Sequence, residues 1–296
     1  MSTGTDPLAP LAQLPGVPDA VAEVRKAVDR LYGHRVMRRR AAEVTSESAL
    51  RGARASAALA GADWPLEEVR RRSDFSADPE ARAVGAALRI AAEAGQLLSI
   101  WRHSPLQVLA RLHLLAVGDA DQAAGRPRRA GEGAEELFPL DLEPVESVEV
   151  DAADGPLPVL PPAPGAEEVA ARLDQLSRLL VARAEGQGVG TPALVVASVV
   201  HGELLALRPF GTHNGVIARA AQRIVLIAEG LDPKSICPAE VGLAELGTAA
   251  YRRAVAGYLA GTPEGMAAWI AHCGWALRLG VRESTAVCEA MQRGMV

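Results

Sequence analysis

Read for its alternation of apolar and polar positions, the chain is a series of helix-length segments parted by Gly and Pro. Val21, Val24, Val28 and Leu31 recur at helical spacing behind Asp19, which the pattern makes a plausible cap. A second helix is predicted from about Ser46 to Leu59, ending at Gly61. Trp64-Pro65 opens a third element with Glu67 and Glu68 in its first turn. Asp78-Pro79 starts another, since Pro suits the first helical position, and Ala83, Ala87, Ile90, Ala91, Ala94 and Leu98 line one side of it. Leu106 to Val117 reads as a short buried helix. Helices resume at about 166–185, 191–207, 214–229, 241–260 and 263–291.

Residues 118–165 break this pattern. They hold an arginine-rich stretch, an acidic run and a set of prolines. Val145, Val148 and Val150 precede Asp154-Gly155, and Leu157, Val159 and Leu160 follow, which predicts a small β-hairpin turning at Asp-Gly. A disordered linker is the alternative. Residues 1–17, rich in Pro, Ser, Thr and Gly, are expected to form a flexible tail. The rest, 18–296, is expected to be one all-α domain carrying that hairpin, with no internal repeat.

Composition agrees with helices. Of 296 residues 49% are apolar but only 3% aromatic, so Ala, Leu and Val must build the core. The net charge of −5 argues against binding nucleic acid through bulk charge. No basic region precedes an apolar run at the N-terminus, and no membrane span is expected, so the chain reads as cytoplasmic. Cys237, Cys273 and Cys288 are too few and scattered for a disulfide framework or a zinc knuckle. The six histidines form no metal-ligand pair, so no metal site is expected.

The candidate chemistry lies in 191–230, where one apolar helix runs through Arg208-Pro209-Phe210 into Gly211-Thr212-His213-Asn214-Gly215 and a second begins. Residues able to take positive φ let successive backbone N–H groups converge, and the second helix adds its positive N-terminus: an anion site. Arg219, about one turn on, could grip a phosphate bidentately. A plain interhelical turn is the alternative.

Residues 208–219 resemble the Fic (Fido) signature H-P-F-x-[D/E]-G-N-G-R-x-x-R, matching at Pro209, Phe210, Asn214, Gly215 and Arg219. His201 matches a further His seven residues earlier. Ser56 to Gly61, with Trp64 to Val69 behind it, resembles the family's inhibitory-helix motif [S/T]-x-x-x-E-[G/N] within 45–65. Leu112-His113 and Gly125-Arg126-Pro127-Arg128 resemble a further conserved-type region, and 118–165 falls where Fic proteins carry a flap. The resemblance spans about 45–280 and implies an all-α Fic-like fold with a small β-hairpin flap. It further implies a site that binds ATP or another nucleotide for adenylyl transfer.

The departures bear on the chemistry. The family's base is a His that deprotonates a hydroxyl for attack on the α-phosphate; Arg208 stands there, and a guanidinium is no base. Thr212 replaces the acidic Mg²⁺ ligand, so Mg²⁺ is not expected. His213 replaces a glycine and Val216 a phosphate-clamping arginine. Ala60 stands where the inhibitory Glu pairs with the last motif arginine, which would leave Arg219 without that partner. His213 or His201 could serve as a substitute base, or be a loop residue and a core residue respectively. Arg208 either charges the pocket or pairs with an acidic neighbour. Arg126, Arg128 and Arg129 either bind an anionic partner or sit in a solvated loop. Phe210 is expected to anchor the loop from beneath.

The resulting expectation is a degenerate Fic-type pseudoenzyme that binds a nucleotide or phosphate through Gly211, Thr212, His213, Asn214, Gly215 and Arg219. It would not carry out the family's AMPylation. The alternatives are a nucleotidyl or phosphoryl transferase with repurposed residues, and an interaction module taking an extended peptide at the flap, 145–160, by strand addition. No nucleic-acid or membrane partner is expected.

Overall fold

A computed structural model of the chain describes residues 6–118, 122–148, 155–187 and 190–295. Among the described residues twelve α-helices run in chain order: α1 Val17–Tyr32, α2 Ala41–Ala58, α3 Leu66–Arg71, α4 Pro79–Glu93, α5 Leu98–Trp101, α6 Pro105–Val117, α7 Ala166–Ala184, α8 Ala193–Leu207, α9 Asn214–Ala228, α10 Ala239–Glu245, α11 Gly247–Ala260 and α12 Pro263–Gln292. The fold is all-α, as expected.

Local sequence sets the ends. The Asp78 carboxylate accepts from the Ala81 N–H at 2.8 Å and caps α4, and the Thr262 hydroxyl accepts from Gly265 at 3.1 Å to start α12. Asp19 is not a cap: α1 opens two residues earlier, on Gly16 at φ +79°, and Asp19 sits in its first turn where it complements the helix dipole. The helix expected over 241–260 is two helices, broken at Gly247 with φ +80°. There the Thr248 N–H donates to the Leu142 carbonyl at 3.0 Å, and the Leu142 N–H donates to the Thr248 hydroxyl at 2.9 Å. A side chain at Gly247 would collide with that loop.

The core is centred on α8 and α9. α8 is apolar on all sides and buries nearly every residue, as a helix does when neighbours surround it. It packs on α9, α11 and α12, while α2 lies across α4, α9, α10 and α12. The scarce aromatics gather here: Trp269, Tyr251 and Phe210 are among the largest fully buried side chains. The run Pro79–Trp101 is the one described stretch long and apolar enough to cross a membrane. Its Ala81, Val84, Ala87 and Ile90 are spent on the protein interior.

Two expectations need correction. The segment expected as a flexible tail is packed from Asp6 onward. Leu8 and Ala12 join the core, and the Asp6 carboxylate accepts from Thr191 at 2.6 Å and from the buried Arg183 at 3.0 Å. The β-hairpin is not seen either: residues 145–148 and 155–160 form no strand, and Val150 and Asp154 lie outside the described residues. Prolines at 144, 156, 158, 161, 162 and 164 remove ladder donors. Arginines answer the carbonyls instead, Arg252 at Pro158 (3.0 Å), Arg253 at Gly155 (3.2 Å) and Arg208 at Pro161 (2.6 Å). No strand edge for peptide addition exists among the described residues of 145–160.

α10 and α12 touch backbone to backbone. A Cβ on Gly242 would overlap the Ala276 carbonyl, and one on Gly280 would overlap the carbonyl of Pro238. Gly242→Ala should therefore cost about 1–3 kcal/mol of stability, read as a lower urea midpoint; an unchanged midpoint would show that the helices separate freely.

Candidate functional site

The loop between α8 and α9 is built on a strained backbone. Positive φ falls not on Gly211, Asn214 or Gly215 but on Arg208 (φ +43°) and His213 (φ +62°). Left-handed backbone at a non-glycine residue costs about 1–3 kcal/mol each, so the surroundings must impose it. Arg208 ends α8 and His213 immediately precedes α9, so the two kinks bracket the turn.

Those surroundings account for each carbonyl from Leu207 to Gly211. Arg128 donates from its guanidinium to Leu207 (3.2 Å) and Arg208 (2.7 Å), and from its backbone N–H to Pro209 (2.8 Å). The same guanidinium reaches Glu132 at 3.0 Å and Pro164 at 3.1 Å. Arg128 is thus buried and fully engaged, not part of a solvated loop. Arg126 pairs with the Glu132 carboxylate at 2.8 Å. The Asn214 side chain brackets Phe210, accepting from its N–H at 2.9 Å and donating to its carbonyl at 2.8 Å. The Gly211 carbonyl takes the Glu135 N–H at 2.9 Å. Phe210 anchors the loop by stacking on His113 with centroids 4.3 Å apart, while Nδ1 of His113 accepts from Gly125 at 2.9 Å.

At the start of α9 the chain's own Glu135 carboxylate caps the helix. Its Oε1 accepts from the Asn214 N–H at 2.7 Å, and the neighbouring His213 backbone also favours the ionised carboxylate. The dipole of α9 and the nearby positive charge of Arg219 favour the ionised form. Burial outweighs them and pushes the carboxyl's pKa up. A cavity of about 80 Å³ lies alongside, lined chiefly by Ala60, Glu135, His213, Gly215, Val216 and Arg219.

The expected residues divide accordingly. Gly215, His213 and Arg219 reach the cavity, whereas the Asn214 side chain is consumed by the loop and Gly211 and Thr212 are exposed. The Thr212 hydroxyl lies 3.0 Å from Nδ1 of His213. Arg219 has no glutamate partner at position 60 and is bonded to Ser56 instead. It donates from Nε to the Ser56 hydroxyl at 2.9 Å and from Nη2 to the Ser56 carbonyl at 2.8 Å, binding α9 to α2. Ala60 faces the cavity, and Gly61, at φ +102°, turns the chain away from α2 against Pro139.

His201 is a core residue. It is wholly buried with Nε2 2.6 Å from the Tyr251 hydroxyl, and burial, Arg219 and His272 together hold its pKa far below the ordinary value. His213 is half-buried; burial, then Arg89, lowers its pKa, so it is neutral at pH 7. The Arg208 side chain turns to the Pro161 carbonyl rather than to an acidic neighbour. Among the described residues no three His, Cys, Asp or Glu side chains are grouped to hold a metal ion. Sequence reasoning missed Glu135 altogether. The available signal was slight: Leu137 and Phe138, both buried, pin the acidic run to the core and so bring Glu135 inward.

Two outcomes follow. Arg128→Met keeps the apolar stem and orphans several carbonyls, so it should cost about 2–4 kcal/mol in chemical denaturation; a neutral result would mean that water replaces the guanidinium. A Glu whose folded pKa is raised contributes stability that is complete at acid pH and declines as pH rises through that pKa. The Tm of Glu135→Gln relative to the native chain should therefore climb from pH 4 to pH 7; a constant difference would contradict the shift.

No protein-family model and no curated protein matches the chain. Solved structures do. A Fic family protein from Desulfovibrio desulfuricans G20 superposes with a TM-score of 0.68 at 21% identity, over 92% of this chain and 75% of that one. A Fic domain containing signaling protein from Bacteroides thetaiotaomicron gives 0.60 at 12% identity, over 92% and 97%. Fic-1 from C. elegans gives 0.58 at 14% identity, over 93% and 73%. Over nine-tenths of its length, the buried α8–α9 pair included, the chain has the Fic fold.

Proposed function

We propose that this protein binds the phosphate group of a nucleotide or related ligand at the start of α9 and does not transfer a nucleotidyl group. The observation that carries this reading is the seat of Glu135: the Asn214 N–H holds its carboxylate at 2.7 Å, with the His213 backbone and the Arg219 charge beside it favouring the ionised form. Donors so arranged serve a phosphate oxygen equally well. The chemistry of transfer is a different matter. Arg208 cannot act as a base and is tied to Pro161. Thr212 brings no carboxylate to a metal, and Val216 brings no charge. The cavity of about 80 Å³ is far below the roughly 300–1,000 Å³ of small-molecule sites. It suits one phosphate-sized group, with the nucleoside outside unless the Glu135–Pro139 segment moves.

One observation favours a second reading, a nucleotidyl or phosphoryl transferase with repurposed residues. The imidazole of His213, its pKa lowered by burial, lines the same cavity and offers an unprotonated nitrogen as a base.

Calorimetry with inorganic phosphate, ADP and ATP, each with and without Mg²⁺, tests the first reading, together with incubation of the protein with α- and γ-labelled ATP. Binding without label transfer is expected. Label transfer that disappears in His213→Ala would establish the second reading. No binding at millimolar concentration, by the native chain or by Glu135→Ala, would overturn the first.

A further inference from the structure

We propose that the arginine-lined cleft between the turn leading into α2 and the end of α12 binds a small, soluble oligophosphate anion. It shares no lining residue with the cavity beside Arg219 and does not depend on the reading of that cavity.

The site begins with the run Arg35-Val36-Met37-Arg38-Arg39-Arg40, four cations in six residues of a chain whose net charge is −5. After α1 this segment winds into a short 3₁₀ turn, Arg35–Arg38. Nδ1 of His34 accepts from the Val36 N–H at 3.3 Å to cap it. The N–H groups of Arg39 and Arg40 close on the Val36 carbonyl at 3.1 and 2.9 Å. At three residues per turn, positions i and i+3 share an edge, so Arg35 and Arg38 are aligned. Val36 and Met37 are buried and anchor the turn from within. Arg40 pins it to α12, donating to the Met291 carbonyl at 3.1 Å while it pairs with Glu43.

Arg40 is thus spent on the scaffold, and the other three are not. Arg35, Arg38 and Arg39 are exposed, and among the described residues no carboxylate or carbonyl holds their guanidinium groups. Arginines elsewhere on the surface are engaged, as Arg70 is by Glu47 and Arg172 by Glu203. Three unpaired like charges on one rigid turn repel each other, and a bound anion relieves that repulsion. With Met291 and Gln292 they line a cleft of about 450 Å³.

The shape and chemistry of the cleft select the anion. Its volume falls within the roughly 300–1,000 Å³ of small-molecule sites. Each guanidinium fork takes two oxygens of one phosphate, so three forks suit two or three linked phosphates. No aromatic side chain lines the cleft to stack a base, and the apolar residues of the turn face the protein interior. The cleft therefore offers nothing to a nucleobase or an acyl chain.

Calorimetry of the full chain with tripolyphosphate tests the proposal, with citrate as a carboxylate control. Tripolyphosphate should bind one to one, and added salt should weaken it because the cations are exposed. The double variant Arg38→Gln/Arg39→Gln should lose about tenfold or more in affinity. Arg38→Lys/Arg39→Lys, which keeps the charge without the forks, should recover only part of that loss. Both replace exposed side chains and should melt as the native chain does. Equal affinity in the native chain and the glutamine variant would place the anion elsewhere, the α9 cavity included, and overturn the assignment. Citrate bound as tightly as tripolyphosphate would overturn the choice of phosphate. Capture by vesicles containing phosphatidylinositol bisphosphate, without any binding of tripolyphosphate, would overturn a soluble ligand in favour of a lipid headgroup.

Discussion

The guanidinium of Arg128 is the interaction on which the site depends. A helix that ends in a left-handed residue leaves its last carbonyls pointing at whatever lies beyond, and in the interior each needs a donor. Arg128 answers three in succession, Leu207, Arg208 and Pro209, and ties in Glu132 and Pro164 besides. One side chain thereby joins the end of α8, the segment after α6 and the approach to α7. Asn214 and Glu135 complete the series at Phe210 and Gly211. The strained φ values at Arg208 and His213 are sustained by this set of bonds.

The loop is held through backbone and through buried contacts: Phe210 on His113, Asn214 around Phe210, Arg219 on Ser56. Thr212, exposed beside it, takes no part in that bracing. The fold of the turn therefore depends on a different set of atoms from those it presents to solvent.

Much of the fold was legible in the sequence, because helix periodicity and capping are local. Asp78-Pro79 and the largely apolar 193–207 announced α4 and α8 directly. Gly247 did not, since its requirement comes from the approach of Leu142, more than a hundred residues away. The hairpin misled because alternating valines carry the strand signal whether or not the intervening prolines leave enough donors to pair. At the site, residues with a shape in the chain, Phe210, Asn214 and Arg219, were found. Glu135 was not, and Arg128 was noted for its charge but not as a brace on carbonyls, since both owe their importance to where a loop is laid down. The absence of a glutamate beside Arg219 was legible at Ala60, whereas the serine hydroxyl and carbonyl that engage it were not.

The seat of Glu135 has a consequence for engineering. Its backbone N–H is bonded to the Gly211 carbonyl and its carboxylate to the Asn214 N–H. Substitutions at positions 208, 212, 213 and 216 would therefore be made against a second segment that grips the same turn, and redesign of the loop is a redesign of two stretches of chain at once.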